Sequence, residues 1–249
     1  MDLAIDWSAP WLAPYRAIGE PVTHAVAVGM PLVEALNRSS ERPPRFVEPS
    51  ALPPGEPYEA FIARTGSVPT RQNTHDLFNA LVWRTHPQLK THLNARQAEQ
   101  IERAGVGAVR GAFRDALTLF DENAAWLQAP GPLTEALQQR NWVQLFVTHR
   151  ALWRDTRLVL FGHALLDKLL QPRKAITAHV WVVPMEMADP AAWLTQQLTA
   201  ESLARKPWLP LPVLGVPGWW NSNEQIGFYD DAAVFRRPAP TLKMAVPAA

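Results

Sequence analysis

The chain has no cysteine. That excludes disulfides, thiolate nucleophiles, zinc–cysteine sites and iron–sulfur clusters, and with them a small disulfide-stapled secreted scaffold. An excess of one charge sign is also missing. Lys and Arg number 24 against 23 Asp and Glu, for a formal net charge of +1. No sequence-wide field exists to hold a polyanion, so nucleic acid is not expected as a partner. No apolar run approaches membrane-spanning length. The opening Met1-Asp2-Leu3-Ala4-Ile5-Asp6-Trp7 lacks the basic and apolar regions of a signal peptide. These absences predict a soluble, cytoplasmic protein without a membrane partner. Nucleophile elbow, Walker loop, dinucleotide fingerprint, HExxH and internal repeat are absent as well. The glycines of Gly105-Val106-Gly107-Ala108-Val109-Arg110-Gly111 have the wrong spacing for a phosphate loop and read as a helix junction.

Two residue types are over-used: 24 prolines and 11 tryptophans in 249 residues. The prolines imply short elements joined by stiff loops, and the tryptophans an aromatic core with some rings left for a ligand surface. A hydrophobic fraction of 47% and a charged fraction of 19% describe a globular chain. The expected organisation is an N-terminal arm over residues 1–20, one globular domain over 21–237 and a disordered tail over 238–249.

Local signals place the elements. Pro21 is suited to the first turn of a helix reaching Asn37. Arg45-Phe46-Val47 reads as a short strand, and Tyr58 to Ala63 as helical turns ended near Gly66. Thr74 is an N-cap, Asp76 complements the helix dipole, and Leu77, Phe78, Leu81 and Val82 share an apolar face up to His86, where Pro87 disfavours further helix. Asn94 caps a helix to Ala104. Residues 110–125 are ambiguous: Leu117-Thr118-Leu119-Phe120 reads as a strand with a hairpin turn at Asp121-Glu122-Asn123, and a continuous helix from Val106 competes. Further helices are expected from Pro132 to Arg140, from Trp142 to Asp155 and from the Asp189-Pro190 cap to Ala204. Leu158 to Leu170 is apolar all round, as a central buried helix would be. Ile176 to Val183 reads as a strand buried on both faces. Residues 207–223 carry too many prolines and glycines for regular structure, and Phe228 to Phe235 holds a short strand. The predicted fold class is mainly α with a small β component (α+β), with helices packed around Leu158–Leu170 and joined by long Pro-rich loops.

Chemistry is sought where polar groups interrupt apolar faces. His75 and Asn79 lie one turn apart beside the apolar face of their helix. His149 projects from the Trp142 segment, His163 lies among Val159, Leu166 and Leu170, and His179 sits in the strand Ala178-His179-Val180-Trp181. Asp167 follows His163 by one turn, a spacing that lets it fix the imidazole tautomer. Each histidine taken alone has an ordinary reading as a hydrogen-bonded core residue. Taken together they describe a metal or acid–base site at a shared hollow. Neutral imidazoles and carboxylates bind divalent metals without any thiolate, and Asp115, Asp121 and Glu122 offer oxygen ligands. The candidate catalytic residues are His75, Asp115 and His163. The candidate metal ligands are His75, Asp121, His163 and His179, with a divalent metal as the cofactor. Asn79, Arg150, Trp219, Trp220 and Asn221 are candidate binding residues. Arg150 and Arg154 are spaced to clamp an anion, although a solvated helix edge is the default. The Trp219-Trp220-Asn221 loop suits a planar or sugar-like ligand, although a loop anchored by two tryptophans is the default reading.

Four separated strings carry a resemblance: Val68-Pro69-Thr70-Arg71 with His75 to Trp83; Arg114 to Glu122; Gly162-His163-Ala164-Leu165-Leu166-Asp167-Lys168; and Pro212 to Asn221. On these the chain resembles the bacterial domain of unknown function 3025 over nearly its whole length. The resemblance implies a soluble bacterial protein and brings no activity, ligand or catalytic residue. The reading from the residues is a hydrolase-like enzyme with a His/Asp/Asn site between helices. The competing reading is a non-catalytic protein whose Trp-rich loop binds a small molecule or partner. Oligomeric state is not legible.

Overall fold

The computed structural model describes residues 5–104 and 111–236. The chain is mainly helical with two small sheets. Helix α1 spans Arg16–Ala27 and α2 spans Leu32–Arg38. The single helix expected from Pro21 to Asn37 is therefore two, and Pro21 lies inside α1. Strands β1 (Arg45–Val47) and β2 (Ser67–Pro69) pair in parallel around α3 (Tyr58–Thr65). Gly66, at φ 66°, ends α3 in the left-handed conformation that glycine adopts without a Cβ penalty.

Helix α4 (Thr74–Thr85) is buried along most of its length, with Leu77, Phe78, Ala80, Leu81 and Val82 fully inside. Its cap is Asn73, whose side chain accepts from the Asp76 amide at 2.7 Å. Thr74 is thus the first helical residue, and its hydroxyl is free to donate to the Asp167 carboxylate at 2.5 Å. After His86 the chain turns at Pro87 into α5 (Pro87–Ala104), so Asn94 lies mid-helix and does not cap. Helix α6 (Ala112–Asn123) decides the ambiguous 110–125 stretch for the helix reading over the strand and hairpin turn. Leu117 and Phe120 are both buried on one side of it, a helical spacing. Val106 lies outside the described residues, as does the tail 238–249.

The larger sheet has the order β4-β3-β5-β6. Strand β3 (Ala124–Gln128) is buried throughout, runs parallel to β5 (Thr177–Val182) and antiparallel to β4 (Arg157–Leu160). This corrects the central helix expected over Leu158–Leu170. The first part of that segment pairs with β3, setting Leu158 opposite Leu127 and Leu160 opposite Ala125. Only His163–Lys168 is helical, as α8. The strand turns into α8 at Gly162, where a Cβ would fall within 2.5 Å of the Glu122 carbonyl oxygen and the Asn123 Cα. Only glycine lets α6 and α8 approach this closely.

Helix α7 covers Gly131–Gln138. The Trp142 segment forms a π turn (Gln144–Thr148) and a 3₁₀ turn (Arg150–Asp155) in place of one helix. Asp189 caps α9 (Pro190–Gln197), accepting from the Ala192 amide at 3.0 Å, and α10 (Ala200–Ala204) follows separately. Part of the 207–223 stretch is regular after all: β6 (Leu209–Pro212) pairs with β5 at the sheet edge, where proline is tolerated. Phe228–Asp230 is a 3₁₀ turn, not a strand. No described helix is long and apolar enough to cross a membrane.

Candidate metal and substrate cavity

Four helices and the entry to α8 enclose a cavity of about 440 Å³. The first turns of α4 contribute His75, Asp76 and Asn79. The last turns of α6 contribute Asp121 and Glu122, and α8 contributes its first residue, His163. Helix α5 lines the floor with Lys90, Asn94 and Gln97, and α3 supplies Tyr58 and Glu59.

His75 and His163 meet edge to face, with ring centroids 4.6 Å apart. Together with Glu122 they offer three ligating atoms lying within 4.8 Å of one another. The orientation of His163 is fixed from behind: its Nδ1 lies 2.8 Å from the backbone oxygen of Asp121. A carbonyl oxygen can only accept, so Nδ1 carries the proton and the Nε2 lone pair faces the cavity. Burial and the neighbouring Lys90 push His163 down to about 4, so the ring is neutral at pH 7. Its bare Nε2 lies 3.5 Å from Glu122 Oε2. Burial, reinforced by Asp121, holds the Glu122 carboxyl above its usual range. Two acceptors face each other here, and a proton or a metal ion between them would relieve the opposition.

The charges point the same way. Four carboxylates line the cavity (Glu59, Asp76, Asp121 and Glu122) against the cations Arg71 and Lys90. Arg71 grips Asp76 at 2.8 Å, and the buried Lys90 pairs with Asp121 beneath the Trp83 ring. Burial alone would raise Asp121, but the charge and hydrogen bond of Lys90 outweigh it and hold the carboxyl below its ordinary value. Glu59 and Glu122 have no Lys or Arg partner among the described residues, so a divalent cation would balance the lining. Tyr58 accepts from the Asn79 amide at 3.1 Å, and burial, helped by Asp76 and Asp121, keeps its phenol protonated.

Of the residues singled out from the sequence, His75, Asn79, Asp121 and His163 do come together. Asp121 serves from behind, through Lys90 and the His163 ring. Asp115 is exposed on α6 and away from the cavity. His179 is outside the cluster; its Nδ1 accepts from the Asn123 amide at 2.7 Å. Asp167 does not orient His163, because its carboxylate takes the Thr74 hydroxyl. Arg150 is paired with Glu224, so no anion clamp forms with Arg154. Trp219 packs against Trp11 with centroids 6.1 Å apart, Trp220 meets Phe228 edge to face, and Asn221 is exposed at the start of a 3₁₀ turn.

The sequence reading named Glu122 only among oxygen donors and missed Lys90, Tyr58, Asn94 and Gln97. Two signals were present. Thr118, Asp121 and Glu122 are spaced i, i+3, i+4 once α6 is helical. Lys90, Asn94 and Gln97 repeat at i, i+4, i+7 along α5, a polar stripe on a buried face.

No curated protein and no solved structure matches the chain. One family model does, described as a protein of unknown function (DUF3025), over residues 44–239 of 249. That span contains every residue of the cavity, and on it the chain belongs to the DUF3025 family.

Proposed function

We propose that the protein is a metal-dependent hydrolase whose divalent ion sits on His75, His163 and Glu122. The observation that carries this reading is the lone pair of His163 Nε2 aimed at the Glu122 carboxylate, with His75 in reach of both. Two imidazoles and one carboxylate, with room for water, form a donor set that catalytic zinc sites use, and other first-row metals accept it. A bound ion would supply a water of lowered pKa and a Lewis acid for a carbonyl oxygen.

The chain's own groups do the rest. The Asp121 backbone oxygen fixes the His163 ring, the outer-shell contact that metal-binding histidines need. Lys90 commits one N–H to Asp121, leaving two to donate to a substrate oxygen. Tyr58, kept protonated, offers an O–H from α3. The substrate is a small molecule, since about 440 Å³ admits nothing larger. A cytoplasmic setting belongs to the same proposal, and cell fractionation tests it.

Metal analysis of the purified full chain, dialysed and then offered Zn²⁺, Mn²⁺ or Fe²⁺, tests the assignment. The expected result is one ion per chain, lost in His75→Ala, His163→Ala and Glu122→Gln variants that still melt cooperatively. A wild-type chain that takes up none of these ions at micromolar concentration overturns the metal, and the hydrolase reading with it.

A further inference from the structure

A second cavity, of about 810 Å³, opens at the opposite end of α4. Six stretches build it: the N-terminal Pro10–Pro14 turn, the α4–α5 junction, β3, the chain entering β4, the loop around Asp189 and the loop around Trp219. It shares no lining residue with the metal cavity.

Its walls hold a concentration of unmet hydrogen-bonding capacity. Thr85 Oγ1, His86 Nε2 and Trp126 Nε1 are buried and have no partner among the described residues, and all three residues line this one cavity. Trp126 is only 1% exposed. Leaving a buried donor or acceptor unpaired forfeits its solvation without return, so clustered orphans mark a place where something binds. The His86 and Trp126 rings meet edge to face, with centroids 4.9 Å apart, and both residues line the cavity. Trp126 Nε1–H can only donate. His86 is neutral, pushed down to about 4 by burial and Arg157, and in the tautomer with its proton on Nδ1 the Nε2 atom is an acceptor. In that tautomer a donor and an acceptor on adjoining rings, with a hydroxyl next in the chain, complement a group that presents C=O next to N–H.

The remaining walls suit a flat apolar body. Trp153 and Trp219 present rings, and Pro14, Pro87, Pro190 and Pro217 present surface with no N–H to satisfy. The volume far exceeds the roughly 30 Å³ that one water occupies. We propose that this cavity binds a planar heterocycle through its lactam edge, the ring carbonyl accepting from Trp126 Nε1–H and the ring N–H donating to His86 Nε2. The Thr85 hydroxyl completes the contact, and Trp219 covers the ring face. This proposal gives the Trp219 loop a ligand to cover, and it does not depend on the metal assignment.

Calorimetric titration of the full chain with uridine, inosine and riboflavin tests it, with N3-methyluridine and N1-methylinosine as probes that keep the ring but lose the N–H. The expected result is saturable binding of at least one lactam compound, weakened about tenfold or more by methylation of its N–H. Thr85→Val and Trp219→Ala weaken it, and His75→Ala leaves it unchanged. Should Trp126→Phe or His86→Phe fail to fold, the methylated probes and Thr85→Val still decide. Absence of saturable binding by all three compounds overturns the proposal. So does equal binding of the methylated probes, or a crystal structure in which ordered waters alone satisfy the three atoms.

Discussion

His163 and His86 stand at opposite ends of α4; His163 is buried and His86 half-buried, and both imidazoles are pushed down to about 4. There the likeness ends. His163 is tied by Nδ1 to the Asp121 backbone, and its other nitrogen faces a carboxylate and a second imidazole. His86 has an unpartnered Nε2 and packs among Tyr15, Trp126 and Phe161. Burial gives both rings the same protonation state. Their surroundings differ, and on that difference rest the two proposals: a cation for His163, a neutral N–H donor for His86.

The comparison is broken most forcefully at Lys90. Its ammonium is the only Lys or Arg partner of Asp121 among the described residues, and both side chains are largely buried. Lys90→Met leaves an uncompensated carboxylate and should destabilise by about 3–5 kcal/mol in urea unfolding, with Lys90→Met/Asp121→Leu recovering most of the loss. A loss below about 1 kcal/mol for the single variant would show that the pair is solvated and the metal end no drier than the surface.

Acid titration separates the two histidines next. Each has a folded pKa near 4 against about 6.5 unfolded. The native metal-free state therefore binds fewer protons than the unfolded state between these values. Stability is full above pH 6.5, declines as pH falls, and the contribution is gone below pH 4; each ring accounts for about 3 kcal/mol. His86→Phe should flatten the slope in this window by about half. Added Zn²⁺ should make the stability of the wild type and of His86→Phe depend more steeply on pH, because protons compete with the ion for the His163 end. A slope that Zn²⁺ leaves untouched would place both rings in the same class.

Gly162 tests how the metal end is assembled. Gly162→Ala forces a methyl against the backbone of Glu122 and Asn123, which cannot rotate away. A loss of about 1–3 kcal/mol and a measurable fall in metal affinity are expected, because the clash moves Glu122 away from His163. Gly131→Ala, with nothing within 4 Å of the added methyl, is the matched control. Equal melting temperatures for the two variants would remove the close-approach argument.

Much of this was legible locally and some of it could not be. The α4 boundaries, the Asp189-Pro190 start of α9 and strand β5 are written in caps, prolines and apolar runs a few residues long. His75 and Asn79 follow from i, i+4 spacing, and His163 from a polar residue in an apolar run. The Leu158–Leu170 segment was misread because a run apolar on all sides describes a doubly buried strand as well as it does a buried helix. Only pairing with β3, some thirty residues earlier in sequence, decides between them. With residues 110–125 open between a hairpin and a helix, Glu122 could be named as an oxygen donor but not placed, since a turn residue and a residue in the last helical turn point in unrelated directions. His179 sits in the strand the sequence indicated, but Asn123 claims its ring, and no local pattern reports a partner 56 residues away.

Arg150 marks the outer limit of the comparison, since it lines neither of the two cavities at the ends of α4. Its guanidinium pairs with Glu224 at the surface, with side-chain exposures of 34% and 60%. Exposed ion pairs of this kind contribute about 0–1 kcal/mol. Arg150→Ala should therefore change stability by no more than that, and should leave both metal stoichiometry and lactam binding at wild-type values. A clear drop in either would mean that the surface between the two cavities transmits strain, and the two ends of α4 could no longer be treated as independent sites.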